Sequence, residues 1–451
     1  MVSLAERMAS NMDFAAFSKA DELKKRLWFT VFALIVFRLG TFIPLPGIDP
    51  NVLSDIFARN SGGILGMFNM FAGGALERMT IFALNIMPYI SASIIIQLGQ
   101  SVIPSLAALK KEGEAGHRKI TQMTRYLTVL ITIVQGYGIA VGLQSMTGSA
   151  GISAVVNPGF VFIFTTVVSL VGGTMFIVWL GEQITSRGVG NGSSLIITVG
   201  IIANIPSALA QTFELGRVGS MSLGVIALLM IMVLLLIYVI VLVERAQRKI
   251  TIQYPKRQVG MRMTAAESSH LPLKINPTGV IPPIFASSLL LLPITIANLS
   301  AENGPAWVQT LSQLLGHGQP LYLGLYAFLI AFFAFFYTAV VFNPEDTADN
   351  LKKHGGFIAG IRPGKNTAEY LDYVITRLTV LGAFYLVALC ILPEILISKL
   401  SVPFVLGGTT LLIVVQVTMD FVGQLQSHLI AYQYEGLIKK AALANKREDN
   451  G

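Results

Sequence analysis

The chain repeats one pattern, an apolar run near the ~20 residues that a bilayer core demands, set off by short polar segments. Such runs stand at 27–43, 79–98, 126–145, 159–180, 194–211, 221–243, 279–297, 321–342, 378–397 and 403–422. Read as helices, they predict an all-α integral membrane protein that crosses ten times, with both termini on one side. The order of spans divides the chain into a tail at 1–26, spans one to five at 27–211, spans six to ten at 212–422, and a second tail at 423–451.

Composition excludes the soluble alternative. Hydrophobic residues make up 53% of the 451 and charged residues 12%, with a mean hydropathy of +0.67. A soluble domain carries roughly 25% charged residues, and so few charges cannot clothe a water-facing surface. The cations then orient the spans. Of 32 Lys and Arg, 27 fall in the N-terminal tail, alternate loops with their span edges, and the C-terminal tail. Arg59, Arg78, Arg217 and Lys399 fall on the other side, and Arg38 lies within the first span. Positive loops stay cytoplasmic, so both termini are expected there, in a cytoplasmic membrane. The net charge of +8 is mostly this topology signal. Its clusters stand in the two longest cytoplasmic loops, 244–278 and 343–377, where an acidic partner would dock. Residues 1–26 mix Glu6, Asp13, Asp21 and Glu22 with cations, unlike a cleaved signal or transit peptide. The first span is expected to serve as an uncleaved insertion signal.

Enzyme chemistry finds little foothold. The histidines 117, 270, 317, 354 and 428 include no HExxH pair. Cys390 stands alone inside a span, so it predicts no intrachain disulfide and no thiolate cluster, and reads as small core filler. Residues 188–192 (GVGNG) lack GxGxxG spacing and join two spans rather than a strand and a helix, so they read as a tight turn, not a nucleotide loop. Gly364-Lys365 lacks the rest of a P-loop. No cofactor, metal or direct nucleotide binding is expected, and any energy must come from a partner. A secondary transporter for a small solute would place carboxylates inside the membrane. The spans offer only Asp420, with Glu182 and Glu394 at span edges. Arg38 has two readings: a side chain bonded to backbone carbonyls, or a pore-lining charge.

Three segments break the regular pattern. Residues 61–77 (SGGILGMFNMFAGGALE) are too short to span and too rich in glycine for a stable isolated helix. Ile64, Met67, Phe68 and Phe71 recur at helical spacing, with Gly62, Gly63, Gly73 and Gly74 near the ends. A hinged half-helix follows, lying either on the outer surface or in a cavity among the spans, because lipid would leave its ends unpaired. Span two carries Asn85, Pro88, Ser91 and Ser93; span seven carries Pro282, Pro283, Ser287, Ser288 and Pro293. The prolines predict kinks. Small polar residues there suit either moving parts or ordinary helix packing.

Together these segments resemble the SecY family of protein-translocase channels. The matching stretches are 42–48 (FIPLPGI), 67–76, 81–97, 180–192 (LGEQITSRGVGNG), 270–275 (HLPLKI), 342–351 (FNPEDTADNL) and 360–364 (GIRPG), in family order, with 113–120 agreeing. The resemblance implies two inverted pseudo-symmetric halves around an hourglass pore. It makes 61–77 a re-entrant plug in the cavity. Spans two and seven become a lateral gate that releases membrane segments to lipid, with Asn85, Pro88, Ser91, Pro282, Ser287 and Ser288 as its residues. The pore ring carries over to Ile86 and Ile90, Ser193 and Ile197, Ile284, and Ile413; each pair is four apart, as one helix face requires. Branched apolar side chains exclude ions by dewetting. Ser193 departs from the family's isoleucine; it leaves a more polar rim, is compensated by a neighbour such as Leu195, or caps the start of span five. Lys256, Arg257 and Arg362 become contacts for the motor ATPase SecA or the ribosome. SecE and SecG become membrane partners, and polypeptides bearing signal sequences become the cargo. The function implied is a protein-conducting channel without enzymatic activity; the alternatives are a ten-helix solute transporter and a membrane scaffold.

Overall fold

The structure, a computed structural model, describes residues 21–49, 52–53, 69, 72–145, 153–219, 222–254, 258–259, 262–263, 268–300, 319–400 and 407–448. Its helices are α1 Asp21–Gly40, α2 Met87–Val102, α3 Pro104–Lys111, α4 Glu114–Ser145, α5 Phe160–Arg187, α6 Gly192–Arg217 and α7 Leu223–Arg245. Strands β1 Gln247–Gln253, β2 Gln258–Val259, β3 Arg262–Met263 and β4 Ser268–Lys274 follow. Then come α8 Ile281–Ser300, α9 Pro320–Val341, α10 Pro344–Lys353, β5 Phe357–Ile358, α11 Lys365–Leu400 and α12 Gly408–Glu448.

A helix stands at each of the ten predicted spans. Among the described residues, seven are long and apolar enough to cross a membrane by length and composition: those in α4, α5, α6, α7, α9, α11 and α12. The helix of the first span begins at Asp21, inside the predicted tail, because its charged first turns continue the helix out of the apolar run. The last helix runs to Glu448, so most of the predicted tail at 423–451 is helical.

By compactness the chain forms two units. One gathers Met1–Tyr89, Val129–Asn204 and Val417–Gly451; the other gathers Ile90–Thr128 and Ile205–Gln416. In the first unit α1 packs on α5. The buried Phe82 ring stacks between Phe37 and Phe176, with centroids 6.1 and 5.9 Å away. Glycine makes that notch: a Cβ on Gly40 would strike the Phe82 ring, and one on Gly173 would strike the Ile81 carbonyl oxygen.

In the second unit α8 packs on α9, and α11 packs on both α9 and α10. The loops 244–278 and 343–377 join in one small antiparallel sheet of order β4-β1-β5. Ile250 lies opposite Leu271, and Ile252 opposite Ile358. This qualifies the all-α expectation. Alternation puts Ile250, Ile252 and Leu273 inward, and Ile250, Leu273 and Ile358 join Leu371, Val374, Ile375 and Leu378 of α11 in one core. Seven such apolar residues buried together hold both loops to the first turns of α11.

Candidate functional site

Residues 72–86 form consecutive turns, closed by bonds such as Ala83 N–H to the Thr80 carbonyl (2.9 Å) and Asn85 N–H to the Phe82 carbonyl (2.9 Å). Span two was expected from residue 79, but α2 begins at Met87. Ile86 therefore precedes the helix, and the expectation that Ile86 and Ile90 share one helix face is corrected. The cause is local: Asn85 adopts φ +49°, a left-handed conformation that asparagine tolerates better than most side chains. Pro88 then falls at the second helical position. A proline there lacks only an N–H the helix would leave unbonded, so it starts α2 rather than kinking it.

Span seven has the same construction. Gly279 has φ +60°, α8 begins at Ile281, and Pro282 and Pro283 occupy its next two positions. There, too, a proline removes no N–H that the helix would bond. Ile90 is half-buried on α2, and Ser91 is buried there. On α8, Pro282, Ser287 and Ser288 are buried and Ile284 is half-buried. The Ser287 hydroxyl donates to the Ile284 carbonyl at 2.9 Å. Ile86, Ile197 and Ile413 are 0%, 4% and 1% exposed. Of the proposed ring, Ile86, Ser193 and Ile197 belong to the first unit, and Ile90, Ile284 and Ile413 to the second.

Gly62, Ile64, Met67, Phe68 and Phe71 lie outside the described residues. Gly73 and Gly74 are described, with φ +68° and +81°. The Gly73 carbonyl accepts a 2.6 Å hydrogen bond from the Arg38 guanidinium, and a Cβ at Gly73 would stand 3.0 Å from the Gly200 Cα of α6. Arg38 also lies over the Phe42 ring, 5.1 Å from its centroid. Of its two readings, the one with a backbone carbonyl fits, although the carbonyl comes from an irregular segment rather than a neighbouring helix. Asn69 and Glu77 bond reciprocally at 3.0 and 2.9 Å, closing the chain between them.

The 188–192 loop is tight and held by side chains from elsewhere in the chain. Val189 N–H donates to Thr30 Oγ1 (3.0 Å), Gly190 N–H to Gln424 Oε1 (2.9 Å) and Gly192 N–H to Thr185 Oγ1 (2.9 Å). A phosphate cradle needs such N–H groups pointing at its ligand; here three point at side chains of this chain. Asn191 accepts from Ser194 N–H at 3.3 Å and so caps α6. That position was offered to Ser193, whose Oγ instead lies 3.5 Å from where a Cβ on Gly181 of α5 would stand. Leu195 is buried on the following turn.

Arg362 is exposed on the turn between β5 and α11, which Gly360 and Gly364 form with φ +82° and +103°. Its carbonyl accepts from Thr367 Oγ1 at 3.0 Å, and its neighbour Ile361 packs on the sheet core. The side chain is thus presented from a braced turn. Lys256 and Arg257 lie outside the described residues. Loop 343–377 is not uniformly basic: Lys352, Lys353, Arg362, Lys365 and Arg377 are matched by Glu345, Asp346, Asp349, Glu369 and Asp372. Glu345 and Asp346 sit in the first turn of α10 and Lys352 and Lys353 in its last, as the helix dipole favours. A cleft of about 560 Å³ between the first turns of α10 and α11 is lined by Glu345, Asp349, Glu369 and Asp372, with Lys365.

Sequence reading missed the sheet and the buried network of Glu244, Asn276 and Thr278. The two-residue alternation at 248–252 and 269–273 was the available signal for the sheet.

An architecture of stacked apolar helices with small loops defines a multi-pass membrane protein. The SecY family model matches residues 80–422. A protein translocase subunit SecY of Escherichia coli (strain K12) is 56% identical over 423 residues, covering 94% of this chain and 95% of that protein. Its counterpart in Rickettsia typhi is 54% identical over 431 residues, covering 95% and 99%. Among solved structures, one described as a protein conducting channel aligns with TM-score 0.64 at 16% identity, over 91% of this chain and 93% of that one. The Sec61 channel of a canine ribosome complex aligns with TM-score 0.62 at 16% identity and the same coverage. The chain belongs to the SecY family.

Proposed function

We propose that this chain is the pore of a protein translocase. It passes unfolded secretory polypeptides across the cytoplasmic membrane and releases apolar segments sideways into lipid. The observation that carries this reading is the 56% identity over 94% of the chain to a protein translocase subunit.

In this reading the branched side chains of Ile86, Ile90, Ile197, Ile284 and Ile413 form the constriction, with Ser193 as its polar member. They hold back ions by dewetting and yield to a passing chain without binding it. Residues 61–77 seal the outer side, and α2 and α8 are the gate walls. Both termini and the β4-β1-β5 sheet face the cytoplasm. Arg362, with Lys256 and Arg257, meets SecA during post-translational export or the ribosome during insertion. SecE braces the pore and SecG lies beside it. The chain is a conduit and hydrolyses nothing; the motor supplies the nucleotide energy.

The test is a secretory polypeptide stalled in transit, with photocrosslinkers along its length. Crosslinks to Ile86, Ile197, Ile284 and Ile413 from one stretch of the polypeptide are expected. Crosslinks confined to exposed faces of the helices would overturn the pore.

A further inference from the structure

Glu244 occupies two places that disfavour a carboxylate. It lies in the last turn of α7, where the helix dipole is negative, and it is 4% exposed. A neutral side chain would end that helix at less cost. What the carboxylate gains is Asn276: Glu244 Oε1 accepts from Asn276 Nδ2 at 2.7 Å. The same amide nitrogen donates to the Gly279 carbonyl at 3.2 Å, and Asn276 Oδ1 accepts from Thr278 Oγ1 at 2.9 Å. Asn276 and Thr278 are 2% and 4% exposed.

This network sits where the sheet becomes α8. Ile275 N–H donates to the Ala246 carbonyl at 3.2 Å, which ties the same junction to the residue after α7. A Cβ on Gly382 of α11 would stand 3.0 Å from the Ile275 carbonyl oxygen, so that side is backed by main chain. Gln416 of α12 brings its Nε2 within 3.7 Å of a Cβ position at Gly279. Tyr385 of α11 lies within electrostatic range of the carboxylate. With the junction wedged on these sides, a change in the tilt of α8 must work against the bond between Glu244 and Asn276.

We propose that Glu244 is a positioning residue for the gate: through Asn276 it fixes the root of α8 and biases the channel toward its closed form. The inference rests on α8 being a wall of the lateral gate. A buried hydrogen bond, lost on opening, raises the threshold that a signal segment must overcome.

The test uses the reconstituted full translocase and two precursors, one normal and one with a signal segment shortened by several apolar residues. Glu244→Leu and Asn276→Ala are each expected to raise transport of the weakened precursor about fivefold or more, with the normal precursor little changed. Glu244→Gln keeps an acceptor oxygen for Asn276 and stays near the parent. The double variant Glu244→Leu/Asn276→Ala does not exceed Asn276→Ala alone, because that change already removes the bond to Glu244. Unchanged discrimination with reduced thermal stability would mean a merely structural bond and overturn the proposal. So would Glu244→Gln acting as strongly as Glu244→Leu, which would assign the effect to charge. If the bond-breaking variants do not assemble, Thr278→Val must give a smaller rise in the same direction, and no rise overturns the proposal. A photocrosslinker at Ser288 of the parent separates this from the gate reading. No capture of an arrested signal segment there defeats the gate itself; capture together with unchanged discrimination defeats only the role of Glu244.

Discussion

The Arg38 guanidinium and the Gly73 carbonyl oxygen are 2.6 Å apart, so a charge inside the first span holds the near end of the irregular segment. Arg38 lies in the last turn of α1, where a cation suits the helix dipole, and a hydrogen bond to a charged group is worth about 1.5–3 kcal/mol.

Arg38→Met is therefore expected to cost about 1.5–3 kcal/mol of thermal stability while raising the closed-state ion conductance. Arg38→Lys, which keeps a cationic donor, should fall between. Differential scanning in detergent and planar-bilayer recordings supply the two readouts. A large stability loss with unchanged conductance would make Arg38 a packing residue.

Deleting residues 62–72 should leave a channel that assembles but leaks small ions, since a seal is not a support. The glycines of that stretch and its lack of spanning length motivate the expectation. Conductance equal to that of the full chain would remove the plug assignment.

Arg362→Glu should depress SecA-driven export of soluble precursors by at least about tenfold, with assembly with SecE preserved. The side chain is exposed on a turn whose bracing uses its carbonyl and its neighbour Ile361, not its charge. Reversal turns attraction into repulsion at an acidic contact, and a loss near 1.4 kcal/mol is tenfold in an equilibrium constant. Normal ATP-dependent transport with purified SecA would refute the contact.

Ser193→Ile should lower ion leak, most clearly when residues 62–72 are also deleted and the ring is the remaining seal. Its hydroxyl is near Gly181, which has no side chain to collide with the added carbons. Asn191→Ala is the matched stability control, expected to cost about 1 kcal/mol through loss of the α6 cap. Equal leak in parent and Ser193→Ile would exclude Ser193 from the ring.

The spans were legible because a bilayer imposes a length and an apolar composition on every helix that crosses it. The start of span two was not, because residues 79–86 are as apolar as the helix they precede. Only the left-handed Asn85 separates the turns from α2, and its conformation depends on neighbours such as Phe82 in its glycine notch. The sheet escaped because its pairing joins Ile252 to Ile358, more than a hundred residues away, and β5 is too short to announce itself. Residues 188–192 read correctly as a turn, but Thr30 and Gln424, which hold it, are distant in sequence.

Asn85 and Gly279 each stand two residues before a helix whose second position is proline, Pro88 in α2 and Pro282 in α8. A rod with its stiffest residues in its first turn bends poorly near that end, whereas the left-handed residue just outside carries one pair of soft torsions. Each helix therefore leaves the chain before it just after a left-handed residue, which helps set the direction in which it starts. A β-branched residue at Gly279, unable to hold φ +60° comfortably, would redirect the start of α8 without touching any side chain along its length.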